Sequence, residues 1–114
     1  MRVPGMTVET QPAILDARVC NEGAALELAL GDGRRLPVSA ETLWRECPSA
    51  QGKARRMKGE TTPPQGLRIV ALNAIGHYAL NIAFSDGHDR GVYPWDYLLS
   101  LARRPTMEDF ISAA

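Results

Sequence analysis

Residues that commonly carry chemistry are scarce in this 114-residue chain: there are two cysteines, Cys20 and Cys47, and two histidines, His77 and His88. Two cysteines cannot make a disulfide framework, so both thiols are expected to be reduced, as in a cytosolic protein. No stretch approaches the roughly 20 apolar residues of a membrane span. The opening MRVPGMTVETQP lacks the apolar run of a secretory signal. Net charge is missing too, since 13 Lys and Arg offset 13 Asp and Glu. A dedicated nucleic-acid binder usually carries a marked basic excess. Neither nucleic acid nor a membrane is therefore an expected partner. Catalytic signatures are also lacking. There is no G-x-S-x-G elbow, Walker-type loop or H-E-x-x-H, and no His-x-Asp/Glu pair to seed a facial iron triad. The expectation is a cytoplasmic chain that is not an enzyme.

What is present is the material of one core. Hydrophobic residues make up 45% of the chain, and its length is near the commonest for a single domain. Residues 1–11 lack periodicity and read as a flexible arm, leaving 12–114 as one domain. Leu15, Ala17 and Val19 alternate with Asp16 and Arg18, which predicts a strand with one buried face. Asn21-Glu22-Gly23 is a turn, and Leu26, Leu28 and Leu30 form a second alternating set. Gly31-Asp32-Gly33 reads as a hairpin connection. Leu36 and Val38 follow as a third strand, placed at an edge because Pro37 has no N–H to donate. Ser39 then suits an N-cap for a short helix through Leu43, Trp44 and Cys47, stopped by Pro48.

Residues 48–66 read as a long connection holding Lys53, Arg55, Arg56 and Lys58. Loops of this length are usually functional or disordered. Beyond it, Leu67, Ile69 and Ala71 alternate, Asn73 to Gly76 turns, and Tyr78, Leu80, Ile82 and Phe84 form the clearest period-two run. Ser85-Asp86-Gly87-His88 is a tight turn into a returning strand at Val92 and Tyr93. Pro94 suits the first turn of a helix, and Trp95, Leu98, Leu99 and Ala102 give it an apolar stripe. Thr106 and Asp109 open a last short helix anchored by Phe110 and Ile111. The predicted fold is α+β: a mostly antiparallel sheet of about six short strands, ordered βββ-α-loop-βββ-α-α, with helices packed on it.

Three features offer chemistry, each beside a plainer structural role. His88 can bind a metal or hydrogen-bond across its turn. Tyr93, Trp95 and Tyr97 can line a groove or dock on the core. The cluster at 53–58 can grip phosphate or be solvated charge.

Taken together, the run IGHYALNIAFSDGHDRGVYPWDYLL, from Ile75 to Leu99, resembles the DUF971 family, also called the γ-butyrobetaine-hydroxylase-like N-terminal domain. The matching residues are Gly76, Tyr78-Ala79-Leu80, Asp86-Gly87-His88, Gly91-Val92-Tyr93 and Trp95-Asp96-Tyr97-Leu98. The segment Leu28 to Ala50 fits upstream. The resemblance implies an α+β fold, with the motif residues Gly76, Tyr78, Asp86, Gly87, His88, Gly91, Tyr93, Trp95 and Tyr97 mainly structural. It also implies a zinc site, made in the hydroxylases by C-x-C-x-x-C and the His of D-G-H. Here Cys47 and His88 hold the first and last positions, while Ser49 and Gly52 replace the middle two. A closed zinc site takes four ligands, mostly thiolate and imidazole, so no cofactor is expected, with zinc or iron at a degenerate Cys47–His88 site as the alternative. Those two residues are expected to lie close together.

The first functional reading is a non-catalytic accessory or protein-interaction domain. Its partner is unidentified, with iron–sulfur assembly and oxygenase-type proteins as the classes the resemblance suggests. Its surface is placed at Lys53, Arg55, Arg56, Lys58 and Trp95. The second reading is a metal-binding module in iron–sulfur or redox handling, and the third is weak phosphate or nucleic-acid binding by the 53–58 segment.

Overall fold

Period-two alternation becomes two antiparallel sheets rather than one. In the computed structural model, which describes residues 2–4 and 14–103, the first sheet has the order β1 (Arg2–Pro4), β2 (Ile14–Cys20), β3 (Ala25–Leu30) and β4 (Arg35–Ser39). The second is β5 (Ile69–Ile75), β6 (Ala79–Phe84) and β7 (Gly91–Pro94). Among the described residues, three α-helices complete the fold: α1 (Ala40–Arg45), α2 (Ala50–Met57) and α3 (Trp95–Arg103). α3 lies against β4 and β7, so one helix bridges the two sheets. Its Trp95, Leu98, Leu99 and Leu101 join a single core with Leu26, Leu28, Leu30, Leu43, Leu80, Ile82 and Phe84. The α+β class is as the sequence predicts.

Local chemistry accounts for most boundaries. Pro37 sits in β4, the edge of its sheet, opposite Glu27, where a missing N–H leaves no ladder bond broken. Ser39 Oγ accepts from Thr42 N and opens α1. At the β2–β3 turn Asn21, Glu22 and Gly23 all have positive φ. Gly23 is required there, since a Cβ would sit 2.9 Å from Ile69 O. That close approach locks the turn of one sheet against the start of the other.

Two bulges change which side chains face inward. A register shift between Ile14 and Asp16 buries Ile14 and Ala17 and leaves Leu15 exposed. A second shift, between Ile69 and Ala71, buries Ile69 and Leu72 and turns Val70 outward at 56% exposure. One extra residue moves every later side chain to the other face, so the inward sets Leu15-Ala17-Val19 and Leu67-Ile69-Ala71 hold only in part. Tyr78, expected with the buried set, lies in the β5–β6 turn at 58% exposure, and Ala79 takes the interior place. β5 also continues through Asn73 to Ile75, where a turn was expected.

The largest correction is α2, in a stretch read as an irregular connection. It carries almost no apolar stripe, the pattern by which an amphipathic helix shows in a sequence. Ala, Gln, Lys, Arg and Met are strong helix formers, and Ser49 caps the helix by accepting from Gly52 N at 3.1 Å. Arg2–Pro4 pairs with β2, replacing the flexible arm for those residues. The remainder of that arm and the helix expected after Pro105 lie outside the described residues.

Candidate functional site

A helix leaves its last four carbonyls without intrahelical partners. α1 ends in the interior, where the carbonyls at and just beyond its end draw on side chains as well as backbone. Five consecutive carbonyls accept from side chains. Tyr93 Oη donates to Leu43 O at 2.5 Å, Arg55 Nη2 to Trp44 O at 3.4 Å, and Arg56 Nη1 to Arg45 O at 2.7 Å and Cys47 O at 2.8 Å. Tyr97 Oη donates to Glu46 O at 2.5 Å. The tyrosines come from β7 and α3 and the arginines from α2. The end of α1 is thus a meeting point of α2, β7 and α3.

The Asp86–His88 turn closes on the same point. Gly87 has a φ of 91°, the left-handed conformation that glycine supplies without strain. Asp86 Oδ1 accepts from His88 N at 3.0 Å, and its Oδ2 accepts from Trp44 Nε1 at 2.9 Å. The guanidinium of Arg55 lies 3.8 Å from the Trp44 ring centroid, within cation–π range.

Cys47 and His88 meet at the centre. Cys47 Sγ lies 3.0 Å from His88 Nε2 and 3.2 Å from Ser49 Oγ, and Cys47 is 0% exposed. On the far side of the ring, His88 Nδ1 is 3.0 Å from Gln51 Oε1. Burial, reinforced by the positive charge of Arg55, lowers the His88 pKa below its ordinary 6.5, and the carboxylates of Asp86 and Asp89 only partly oppose this. The ring is therefore neutral near pH 7. With an amide oxygen at Nδ1, that nitrogen carries the proton and Nε2 is left to accept. Burial, with Cys47 alongside, pushes the Tyr93 phenol well above its ordinary 10. Among the described residues, no buried side-chain nitrogen or oxygen lacks a hydrogen-bond partner.

The residues named from sequence separate into two groups. Cys47, His88, Asp86, Gly87, Gly91, Tyr93 and Tyr97 are brought together. Gly76 and Tyr78 lie in the β5–β6 turn, with Gly76 at positive φ. Trp95 is 2% exposed, so it cannot form part of a partner surface, because its ring fills the core beneath α3. Arg55 and Arg56 are half-buried and committed to α1 carbonyls rather than held in a solvated loop. Lys53 and Lys58 remain exposed on α2, beside Met57 at 89% exposure. Gln51 and the Trp44–Asp86 bond were not legible as site features. The nearest sequence signal was Ser49 after Pro48, an N-cap that would have started α2 and put Gln51 in its first turn.

A sequence description of the family "Gamma-butyrobetaine hydroxylase-like, N-terminal" matches residues 17–99. The chain belongs to this family. A crystal structure of a DUF971-family protein of unknown function from Acidithiobacillus ferrooxidans is 33% identical, with a TM-score of 0.65 over 83% of this chain and 96% of that one. Two solution NMR structures are also similar. One is 27% identical at a TM-score of 0.65, covering 96% of this chain and 85% of that chain. The other is 28% identical at 0.59, covering 96% and 81%. Comparison with curated proteins gives no match.

The zinc implied by the family resemblance does not fit this chain's residues. Of the four family ligand positions, only those of Cys47 and His88 carry strong zinc donors. Ser49 Oγ is occupied as the α2 cap. A Cβ on Gly52 would stand 2.3 Å from Cys47 O, so position 52 has no room for a thiolate. No group of three or more His, Cys, Asp or Glu that could hold a metal occurs among the described residues.

Proposed function

We propose that this member of the γ-butyrobetaine-hydroxylase-like N-terminal family is a non-catalytic protein-interaction domain. One observation carries the reading: the polar atoms of the motif residues gathered at the end of α1 are spent inside the fold. Asp86 holds Trp44 and its own turn, His88 faces Cys47 and Gln51, and the Tyr93 and Tyr97 hydroxyls cap α1 carbonyls. A catalytic set needs groups that reach a substrate, and a fully buried thiol reaches none. The chemistry left outward is on α2, where Lys53, Met57 and Lys58 combine two positive charges with an exposed thioether side chain. That combination suits a partner with an acidic rim around an apolar contact. The family description names part of a hydroxylase-like protein, so oxygenase-type proteins are the first partner class to examine, followed by iron–sulfur assembly proteins.

Affinity capture from native lysate tests this, comparing the native chain with Lys53→Glu/Met57→Asp. The expected outcome is a partner retained by the native chain and lost by the variant, at an unchanged unfolding midpoint. A partner retained equally by both moves the interface off α2, and no partner for either counts against the reading. Retention on a phosphate or nucleic-acid matrix that falls steeply with salt would instead favour the phosphate-binding reading.

A further inference from the structure

We propose that Cys47 and His88 form a metal-independent brace, a direct S–H···N hydrogen bond that ties the α1–α2 connection to the Asp86–His88 turn. Two ligands of one tetrahedral zinc stand roughly 3.5 Å apart, given the usual Zn–S and Zn–N lengths. Cys47 Sγ and His88 Nε2 are 3.0 Å apart, which is hydrogen-bond contact with no room for an ion between them. The proton count agrees: with Nδ1–H donating to Gln51 Oε1, Nε2 at 3.0 Å has the lone pair to accept the single thiol proton, in preference to Ser49 Oγ at 3.2 Å, which already accepts from Gly52 N. A neutral pair of this kind needs no counter-charge in a dry interior.

The surroundings have closed around the pair. On one side, Gly52 lies so near the Cys47 backbone that a Cβ would meet its carbonyl oxygen at 2.3 Å. On the other, a Cβ on Gly91 would stand 2.7 Å from Cys47 Sγ and 2.8 Å from the Tyr93 ring. At position 52, one of the two replaced ligand positions, backbone therefore fills the volume that a further ligand would need. The brace joins residues 41 apart in sequence, linking the half of the chain that carries the four-stranded sheet to the half that carries the three-stranded one.

The test is a double-mutant cycle on the full chain with chelator present throughout: native, Cys47→Ala, His88→Ala and the double variant. Each single change should lower the unfolding midpoint by several degrees, and the double variant should lose clearly less than the sum, because contacting residues couple. Additive losses would overturn the brace. In parallel, native protein is dialysed against zinc and then assayed for metal and midpoint. The expected result is substoichiometric zinc and a midpoint that chelator does not move. Stoichiometric zinc that raises the midpoint, and is lost on Cys47→Ala, would overturn metal independence. The Ser49→Cys/Gly52→Cys variant should have a lowered midpoint or fail to fold, without acquiring zinc. A folded variant with one zinc per chain and a raised midpoint would show that the backbone yields at position 52 and would refute the closed site.

Discussion

At the scale of single residues, burial separates groups that are chemically alike. Cys20 is half-buried at the end of β2, whereas Cys47 is enclosed between two glycines and a tyrosine ring. In the native protein a thiol reagent should therefore label one cysteine per chain, Cys20, and reach Cys47 only on unfolding. Mass analysis of the labelled peptides checks this, and rapid labelling of Cys47 would show that the cluster opens. Tyr93 is the second case. Its hydroxyl is held by the Leu43 carbonyl, and removal of a buried donor typically costs about 1–3 kcal/mol by leaving its acceptor without a partner. Tyr93→Phe should lose stability of that order in urea unfolding, whereas Tyr78→Phe, on an exposed ring, should be near neutral.

At the scale of elements, α1 and α2 depend on caps rather than on length. α1 has six residues and α2 has eight, both below the roughly 12 residues at which an isolated helix becomes even marginally stable in water. Ser39 and Ser49 each accept the N-terminal amide bond of their helix. Ser39→Ala should cost about 1 kcal/mol. Ser49→Ala should cost more, since the same hydroxyl touches Cys47; equal or smaller loss at Ser49 in denaturant titration would detach the cap from the cluster. Much at this scale was legible: the leucine alternation of β3, the Gly33 hairpin, the Pro37 edge, the Ser39 cap and the Trp95 helix all come from residues within one or two turns of each other. The two bulges were not, because a bulge is decided by the strand alongside. α2 was missed because it packs through arginine hydrogen bonds and a glycine contact, leaving no apolar stripe to read.

At the scale of the whole molecule, buried titratable groups set the pH range of stability. His88 has a lowered pKa in the folded state, so below about 6.5 the unfolded chain binds the extra proton more readily. Its contribution is then fully present above 6.5 and is lost as pH falls toward the folded value. Tyr93 has a raised pKa, so its contribution is present below about 10 and declines as pH rises beyond that. Thermal midpoints across pH 4 to 11 should form a plateau with a shoulder on each side. His88→Asn should flatten the acid shoulder, and Tyr93→Phe the alkaline one; shoulders that survive these changes would assign the losses to other groups.

Composition and local pattern by themselves determined the class, the strands of each hairpin, the cap of α1 and the family, because those depend on backbone preferences and on side chains close together in the chain. The tertiary structure decided the rest. It split the strands into two sheets bridged by α3, turned Tyr78 outward and Trp95 inward, and spent Arg55 and Arg56 on the carbonyls of α1. It also brought Cys47 within 3.0 Å of His88. Sequence placed those two residues in related motif positions, but whether a metal or a hydrogen bond joins them turns on a few tenths of an ångström and on backbone volume at Gly52. Close packing sets such distances, and packing is a property of the folded interior as a whole.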